Sequence, residues 1–378
     1  MKRATEIELA EEILDLQERK VPFLDDAVTS SPVEHYCDPH RLELEREKLF
    51  RSIPQPVVHS SELPTPGSFL RRDFAGLPLL FTRDEDGQVH TFINVCRHRG
   101  SRLVQDHEGC KQRFTCPYHA WTWNNRGELT GMPHGELGFP ELDRSALGLK
   151  RLGCSERHGF IWVLANTDQA PDVDTTLAGL AEDFEWFDAA SHVVQHSDVE
   201  VRSVNWKILV EGGIEAYHFR VTHRKTIAPY FNDNLSTYRQ FGPHLRSVLS
   251  KRSIAELRDQ PTDQWRLRDH SQVLYTLMAS SQFLVQSDHI AWITVDPLTP
   301  SSSRIRISTL VPADLVATEE DRAHWAKNHA ITVQTLAEDF DIGEGIQAGL
   351  TTGANDTLTF GRFEGALNAF NTSVRERL

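Results

Sequence analysis

Hydrophobic positions take three textures along this chain. Residues 4 to 20 set Ile7, Leu9, Ile13, Leu14 and Leu16 among acidic and amide side chains, a helical period that Pro22 ends. A second helix is expected from Pro39 to Phe50, and prolines at 54, 56, 64 and 66 then mark extended connections. From Ser68 to about Val163 short β-like runs are punctuated by glycines: Phe69-Leu70, Leu77 to Thr82, Val89 to Val95, Phe114-Thr115 and Phe160 to Leu164. They predict a small all-β domain of hairpins, with turns at Asp86-Gly87 and Asn125-Arg126-Gly127.

A polar passage, Ala170 to Thr176, could join domains, and beyond it the pattern becomes α+β. His192 to Val204 and Trp206 to Val210 alternate like strands, whereas Gly213 to His223 has helical spacing. A long helix is expected from Glu319 to about Ala348. Ser271 to Leu277, Phe283 to Val285, Ile290 to Val295 and Arg304 to Val311 supply an antiparallel sheet. Thr226 to Trp265 shows little period and reads as a lid, a channel loop or plain surface. The expected organisation is a helical segment over 1–55 that packs with the last domain, an all-β domain over 56–165, and an α+β domain over 166–378.

A formal charge of −14 argues against a general nucleic-acid binder, though not against a partner on a local patch. The N-terminal residues develop no apolar signal-peptide core, and runs such as Gly76 to Phe81 are too short to span a bilayer. Neither nucleic acid nor membrane is expected as a partner. Setting aside one metal-spaced cysteine pair leaves Cys37, Cys110 and Cys154, an odd remainder that suggests free thiols and a cytoplasmic, reducing setting.

That pair carries the chemistry. Cys96-Arg97-His98 is followed, after 17 intervening residues, by Cys116-Pro117-Tyr118-His119. Thiolates of Cys96 and Cys116 on one iron, with imidazoles of His98 and His119 on the other, make the ligand set of a Rieske [2Fe–2S] cluster. Gly100 and Pro117 would turn the backbone sharply at the two tips. Structural zinc is the competing metal, but finger spacing pairs Cys with Cys and His with His. His107 and Cys110 lie between the loops and read as packing or surface residues.

A second constellation comprises Glu215, His218 and His223, with a later carboxylate at Asp339. Two histidines and one carboxylate leave open positions on a ferrous ion. His218 and His223 are five apart, so they converge only if the helix carrying His218 ends before Thr222. Glu338 and Asp341 are alternative third ligands.

His98-Arg99-Gly100 and Cys116-Pro117-Tyr118-His119-Ala120-Trp121-Thr122 resemble the cluster loops of the Rieske non-haem iron oxygenases, the alpha subunits of ring-hydroxylating oxygenases. Asn205-Trp206-Lys207 before a His-x4-His pair, and Asp339 followed eight positions on by Gln347, extend the resemblance over nearly the whole chain. It implies a Rieske domain plus a larger catalytic domain in which helices flank an antiparallel sheet, a helix-grip or START-like fold. It further implies a terminal oxygenase that activates O2 at mononuclear Fe(II) with single electrons from the cluster. Electrons would come from a separate reductase or ferredoxin, and so indirectly from NAD(P)H, since no Rossmann fingerprint or further all-cysteine cluster motif is present.

A head-to-tail homotrimer is implied, with His119 of one subunit facing Glu215 and His218 of the next. A beta subunit is left open. Many family members have Asp at this place; with Glu215 the chain resembles the branch with Glu, which includes enzymes acting on carnitine- and betaine-like compounds. The expected substrate is an aromatic or other small organic molecule, the alternative a quaternary or alkyl ammonium compound undergoing monooxygenation or demethylation. Tyr217, Phe219, Trp265, Phe283 and Trp292 could form an aromatic box for either. Gly212-Gly213 stands where many members have Asn and a bulky residue, which would change the room beside the iron. The non-enzyme rival, a Rieske electron carrier, needs only about 55–165 and leaves Glu215, His218, His223 and Asp339 unexplained.

Overall fold

In the computed structural model, which describes residues 1–378, the chain divides into Phe50–Thr176 and a larger unit of Met1–Leu49 with Leu177–Leu378. The divisions expected from the sequence pattern lie at 55/56 and 165/166.

The smaller unit is built from hairpins. Its strands are β1 (Gln55–His59), β2 (Ser68–Phe74), β3 (Leu77–Arg83), β4 (Val89–Ile93), β5 (Glu108–Cys110), β6 (Arg113–Thr115), β7 (Thr122–Asn124), β8 (Leu129–Gly131), β9 (Arg151–Arg157) and β10 (Phe160–Leu164). Seven of them form a sheet in the order β1-β10-β9-β4-β3-β2-β5, and β6-β7-β8 form a second. Gly87 and Gly127 both take positive φ, as the expected turns require. Five strands escaped the sequence reading. β5, β7 and β8 have only three residues each, β1 contains Pro56 and reads as a connection, and β9 is polar at most positions. One core packs Val57, Leu70, Leu79, Phe81, Ile161 and Val163, and a second packs Phe69, Phe92, Phe114, Trp121 and Trp123 around Cys96 and Cys116.

In the larger unit, α1 (Arg3–Arg19) ends at Lys20 in left-handed conformation, and α2 (Pro39–Glu45) is capped by the Asp38 carboxylate. The seven-stranded antiparallel sheet comprises β11 (His192–Arg202), β12 (Phe231–Phe241), β13 (His244–Lys251), β14 (Ser271–Leu277), β15 (Ser281–Val285), β16 (Ile290–Thr299) and β17 (Ser302–Pro312). Its order is β11-β17-β16-β15-β14-β13-β12. The helices that bear on the site are α3 (Trp206–Ile214), α4 (Phe219–Thr222), the 32-residue α5 (Glu319–Leu350) and α6 (Gly365–Arg375). α5 packs on β11, β17 and α3.

Two expectations are corrected. Trp206 to Val210 is helix, not strand: the Asn205 side chain accepts the Lys207 N–H at 2.9 Å and starts α3. Much of Thr226 to Trp265 is β12 and β13, whose alternation is broken by a register shift between Phe231 and Ser236 and by buried polar positions such as Arg246 and Ser247. No helix is long and apolar enough to cross a membrane.

Candidate metal centres and cavity

Two loops of like construction carry the cysteine–histidine motifs. Cys96 N–H donates to Ser101 O at 2.8 Å while Gly100 N–H returns to Cys96 O at 3.1 Å. Cys116 N–H donates to Trp121 O at 2.8 Å while Ala120 N–H returns to Cys116 O at 3.0 Å. The residue four after each cysteine, Gly100 or Ala120, takes a left-handed φ, of 77° and 57° respectively. Ala120, unremarked in the sequence, therefore makes the second turn rather than Pro117.

The loops bring the four candidates together. The His98 and His119 ring centroids are 4.7 Å apart, and His98 stacks on Trp121 at 4.7 Å. Both cysteines are buried, and His119 is exposed. Burial first, and then the neighbouring Cys116 thiol, push the Cys96 thiol up against the N–H bonds from His98 and Arg99. His98 Nδ1 is buried with no hydrogen-bond partner. A buried ring nitrogen without a partner beside two thiols fits a metal–sulfur group. His107 and Cys110 are exposed and stand outside this set.

The second constellation is a tripod. α3 ends at Glu215, which is extended at φ −117° and ψ 158°, so the backbone leaves the helix before His218. His218 and His223 then flank the single turn α4 as its N-cap and C-cap, which solves the five-residue spacing. Their Nε2 atoms are 3.1 Å apart, and Asp339 Oδ1 on α5 lies 3.3 Å from His218 Nε2 and 3.0 Å from His223 Nε2. Donors about 2.1 Å from one ion and at right angles to each other lie about 3.0 Å apart, so the spacing matches one face of an octahedron. Burial presses the His218 imidazole down, but Asp339 and Glu215 outweigh it and hold it up at about 10. Burial likewise raises Asp339, and the two histidines more than reverse the rise. The donors fit a cation such as ferrous iron.

Glu215 accepts the Tyr217 N–H, the His218 N–H at 3.2 Å and the His218 Nδ1 proton. Its reach to His218 comes from this turn, not from one face of a helix. The other two carboxylates weighed as ligands lie outside the tripod. Asp341 pairs with Arg202 at 2.9 Å, and Glu338 lies behind His223.

A cavity of about 490 Å³ is lined by His218 and Asp339 and by apolar residues including Ile208, Leu209, Phe340 and Phe360. Glu211, Glu215 and Glu364 also line it, and no lysine or arginine does. Burial pushes Glu211 up to about 7, against hydrogen bonds from Asn371 and Tyr36. Burial also raises Glu364, against the Gly361 N–H it accepts, and the charge of Glu215 adds to the rise. A Cβ on Gly212 would meet nothing within 4 Å, so the absence of a side chain there leaves room in the cavity. One on Gly213 would come within 2.8 Å of the Gln282 amide.

The expected aromatic box does not line this cavity. Tyr217 is 55% exposed against Phe363, Phe219 packs on Phe231, Phe283 stacks on Trp292 in the core, and Trp265 bonds Gln260 O. Sequence reasoning missed Glu211 and Glu364 as lining residues. The signal available for Glu211 was a carboxylate inside the apolar run Ile208 to Ile214.

Two family models match the chain: a Rieske [2Fe-2S] domain over residues 53–138, and the ring hydroxylating alpha subunit (catalytic domain) over residues 187–378. The chain belongs to the family of ring hydroxylating alpha subunits and carries a Rieske [2Fe-2S] domain ahead of the catalytic domain. It is similar to the glycine betaine monooxygenase oxygenase subunit of Pseudomonas aeruginosa, 32% identical over 51% of this chain and 44% of that one. The carnitine monooxygenase oxygenase subunit of Acinetobacter baumannii is 32% identical over 52% and 53%, and the anthranilate 1,2-dioxygenase large subunit of Acinetobacter baylyi 29% over 50% and 41%. The chain thus spans about half the length of the curated relatives it matches. Among solved structures, a quaternary ammonium Rieske monooxygenase with bound inhibitor superimposes with a TM-score of 0.80 at 21% identity, over 93% of this chain and 96% of that one. Naphthalene 1,2-dioxygenase from Rhodococcus sp. does so with 0.76 at 18%, over 98% and 97%. These two share the fold.

Proposed function

We propose that this chain is the terminal oxygenase of a reductase-dependent pair, oxidising a small organic molecule beside the tripod of His218, His223 and Asp339. The observation that carries the reading is the convergence of these donor atoms, in a chain whose other unit gathers Cys96, His98, Cys116 and His119. An electron carrier would need the second set alone. When bound, the cluster supplies single electrons and the iron supplies the place where O2 and substrate react.

The chain's own residues hold and enclose that chemistry. Glu215 fixes the outer proton of His218, and apolar side chains of α3 and α5 exclude water from one side of the tripod. Exposed His119 of one copy is proposed to meet Glu215 of the next in a head-to-tail homotrimer. One related structure is described as giving insight into inter-subunit electron transfer. A separate reductase or ferredoxin and a cytoplasmic setting belong to the same proposal.

A second reading concerns the substrate. The cavity's carboxylates, and its lack of basic residues, favour a neutral or cationic molecule over one recognised through its own anionic group. An alkylammonium compound would suit them, and glycine betaine and carnitine monooxygenases are among the relatives.

Single-turnover stopped flow on Glu215→Gln tests the electron route. The cluster should still reduce and metal should still bind, but oxidation of the reduced cluster on adding substrate and O2 should slow strongly. An unchanged rate would remove the bridge role. Oxygen uptake with a panel of neutral aromatics and quaternary ammonium compounds tests the substrate reading, and turnover confined to aromatic carboxylates would overturn it.

A further inference from the structure

The nitrogen of His223 that faces away from the tripod is not free. His223 Nδ1 lies 2.8 Å from Glu338 Oε2, and the Thr226 hydroxyl donates to that same oxygen at 2.7 Å. A carboxylate taking a hydroxyl proton offers His223 only acceptors, so the imidazole must carry its proton on Nδ1. Nε2 then presents its lone pair to Asp339 and His218, the direction from which a metal would be held. His223 is only 1% exposed, so water does not compete for that nitrogen. Glu338 directly precedes Asp339 on α5, and the helical turn between neighbours sends one carboxylate into the tripod and the other behind it.

We propose that Glu338, held in place by Thr226, is the positioning residue for His223, fixing its tautomer and ring orientation so that Nε2 is the ligand atom. The proposal rests on the iron reading above. Glu215 and Glu338 then back one histidine each, but differently. Glu215 belongs to the turn that carries its own histidine, whereas Glu338 reaches His223 from a separate helix and ties α5 to the segment after α4. Removing Glu338 would leave Asp339 in the tripod and His223 free to rotate or to hold its proton on Nε2. Loss of such an outer-sphere partner lowers metal affinity by about 10- to 100-fold.

Anaerobic Co(II) titration of protein from which a chelator has removed the mononuclear metal while the cluster stays in place tests this, reading affinity and the change in visible absorption as the ion binds. Glu338→Ala should bind about 10- to 100-fold more weakly, with a shifted Co(II) spectrum. Glu338→Gln, which keeps an acceptor oxygen, should recover part of the affinity, and Thr226→Val should weaken binding by less than Glu338→Ala. Asp341→Ala, which removes a surface partner of Arg202, should bind like wild type. Wild-type affinity and spectrum in both Glu338→Ala and Thr226→Val would overturn the proposal while leaving the iron reading intact. If Glu338→Ala fails to fold, an unaltered Thr226→Val suffices to overturn it. Wild-type protein that takes up no Co(II) would overturn the iron reading, and this proposal with it.

Discussion

The side-chain oxygen of Gln347 accepts the backbone N–H of Asn205 at 2.8 Å. Asn205 caps α3 and Gln347 lies two turns beyond Asp339 on α5, so this one bond sets the register between the helix leading to Glu215 and the helix carrying the carboxylate. The Asn-Trp-Lys run completes the joint, because Trp206 Nε1 and Lys207 Nζ both donate to the buried Glu45, at 2.8 and 2.6 Å.

Gln347→Ala should therefore destabilise the protein by about 1–3 kcal/mol, the cost of leaving a buried N–H unpaired. Gln347→Glu keeps an acceptor and should lose less. Chemical unfolding of both variants checks the order, and equal losses would mean that the bond itself is unimportant.

The neighbouring glycines should respond oppositely. Gly212→Ala puts a methyl into open space on a helix and should be neutral or stabilising by up to about 1 kcal/mol. Gly213→Ala forces Gln282 aside, breaking its 3.0 Å bond to Val210 O, and should cost about 1–3 kcal/mol. Thermal melts of the pair decide this. A larger Gly212→Leu change should instead raise KM by narrowing the cavity, with metal content unchanged.

Glu211 gives a pH dependence with a definite sign. Its folded value of about 7 lies above the ordinary 4.5, so the folded protein holds this proton more tightly than the unfolded chain. The resulting stabilisation is complete below the unfolded value and is lost as pH rises from about 4.5 through 7. Relative to Glu211→Gln, wild type should lose stability over that window, by up to about 3 kcal/mol. A parallel pair of stability–pH curves would contradict the assignment.

How much of this could be read in advance depended on the residue. That Cys96, His98, Cys116 and His119 gather in one place, and His218 and His223 in another, could be expected because few side chains are suited to metal and their spacing is restrictive. α3 was misread because Trp206, Lys207, Ile208, Leu209 and Val210 are all buried, so no polar face reveals a helical period. Glu338, Asp339 and Asp341 crowd one stretch of sequence, and only the direction of α5 assigns tripod, backing and surface to them. The aromatic box failed because composition cannot tell a ring in the core from one in a cavity.

We propose that one chain holds two separate iron sites, which iron and acid-labile sulfide analysis of anaerobically reconstituted protein can count. Wild type should carry three irons and two sulfides per chain. His223→Ala should drop to two irons while keeping the cluster's visible absorption, and Cys116→Ser should lose that absorption while still binding one metal ion at His218, His223 and Asp339. Two irons in wild type, or loss of the cluster spectrum in His223→Ala, would rule out two separate sites.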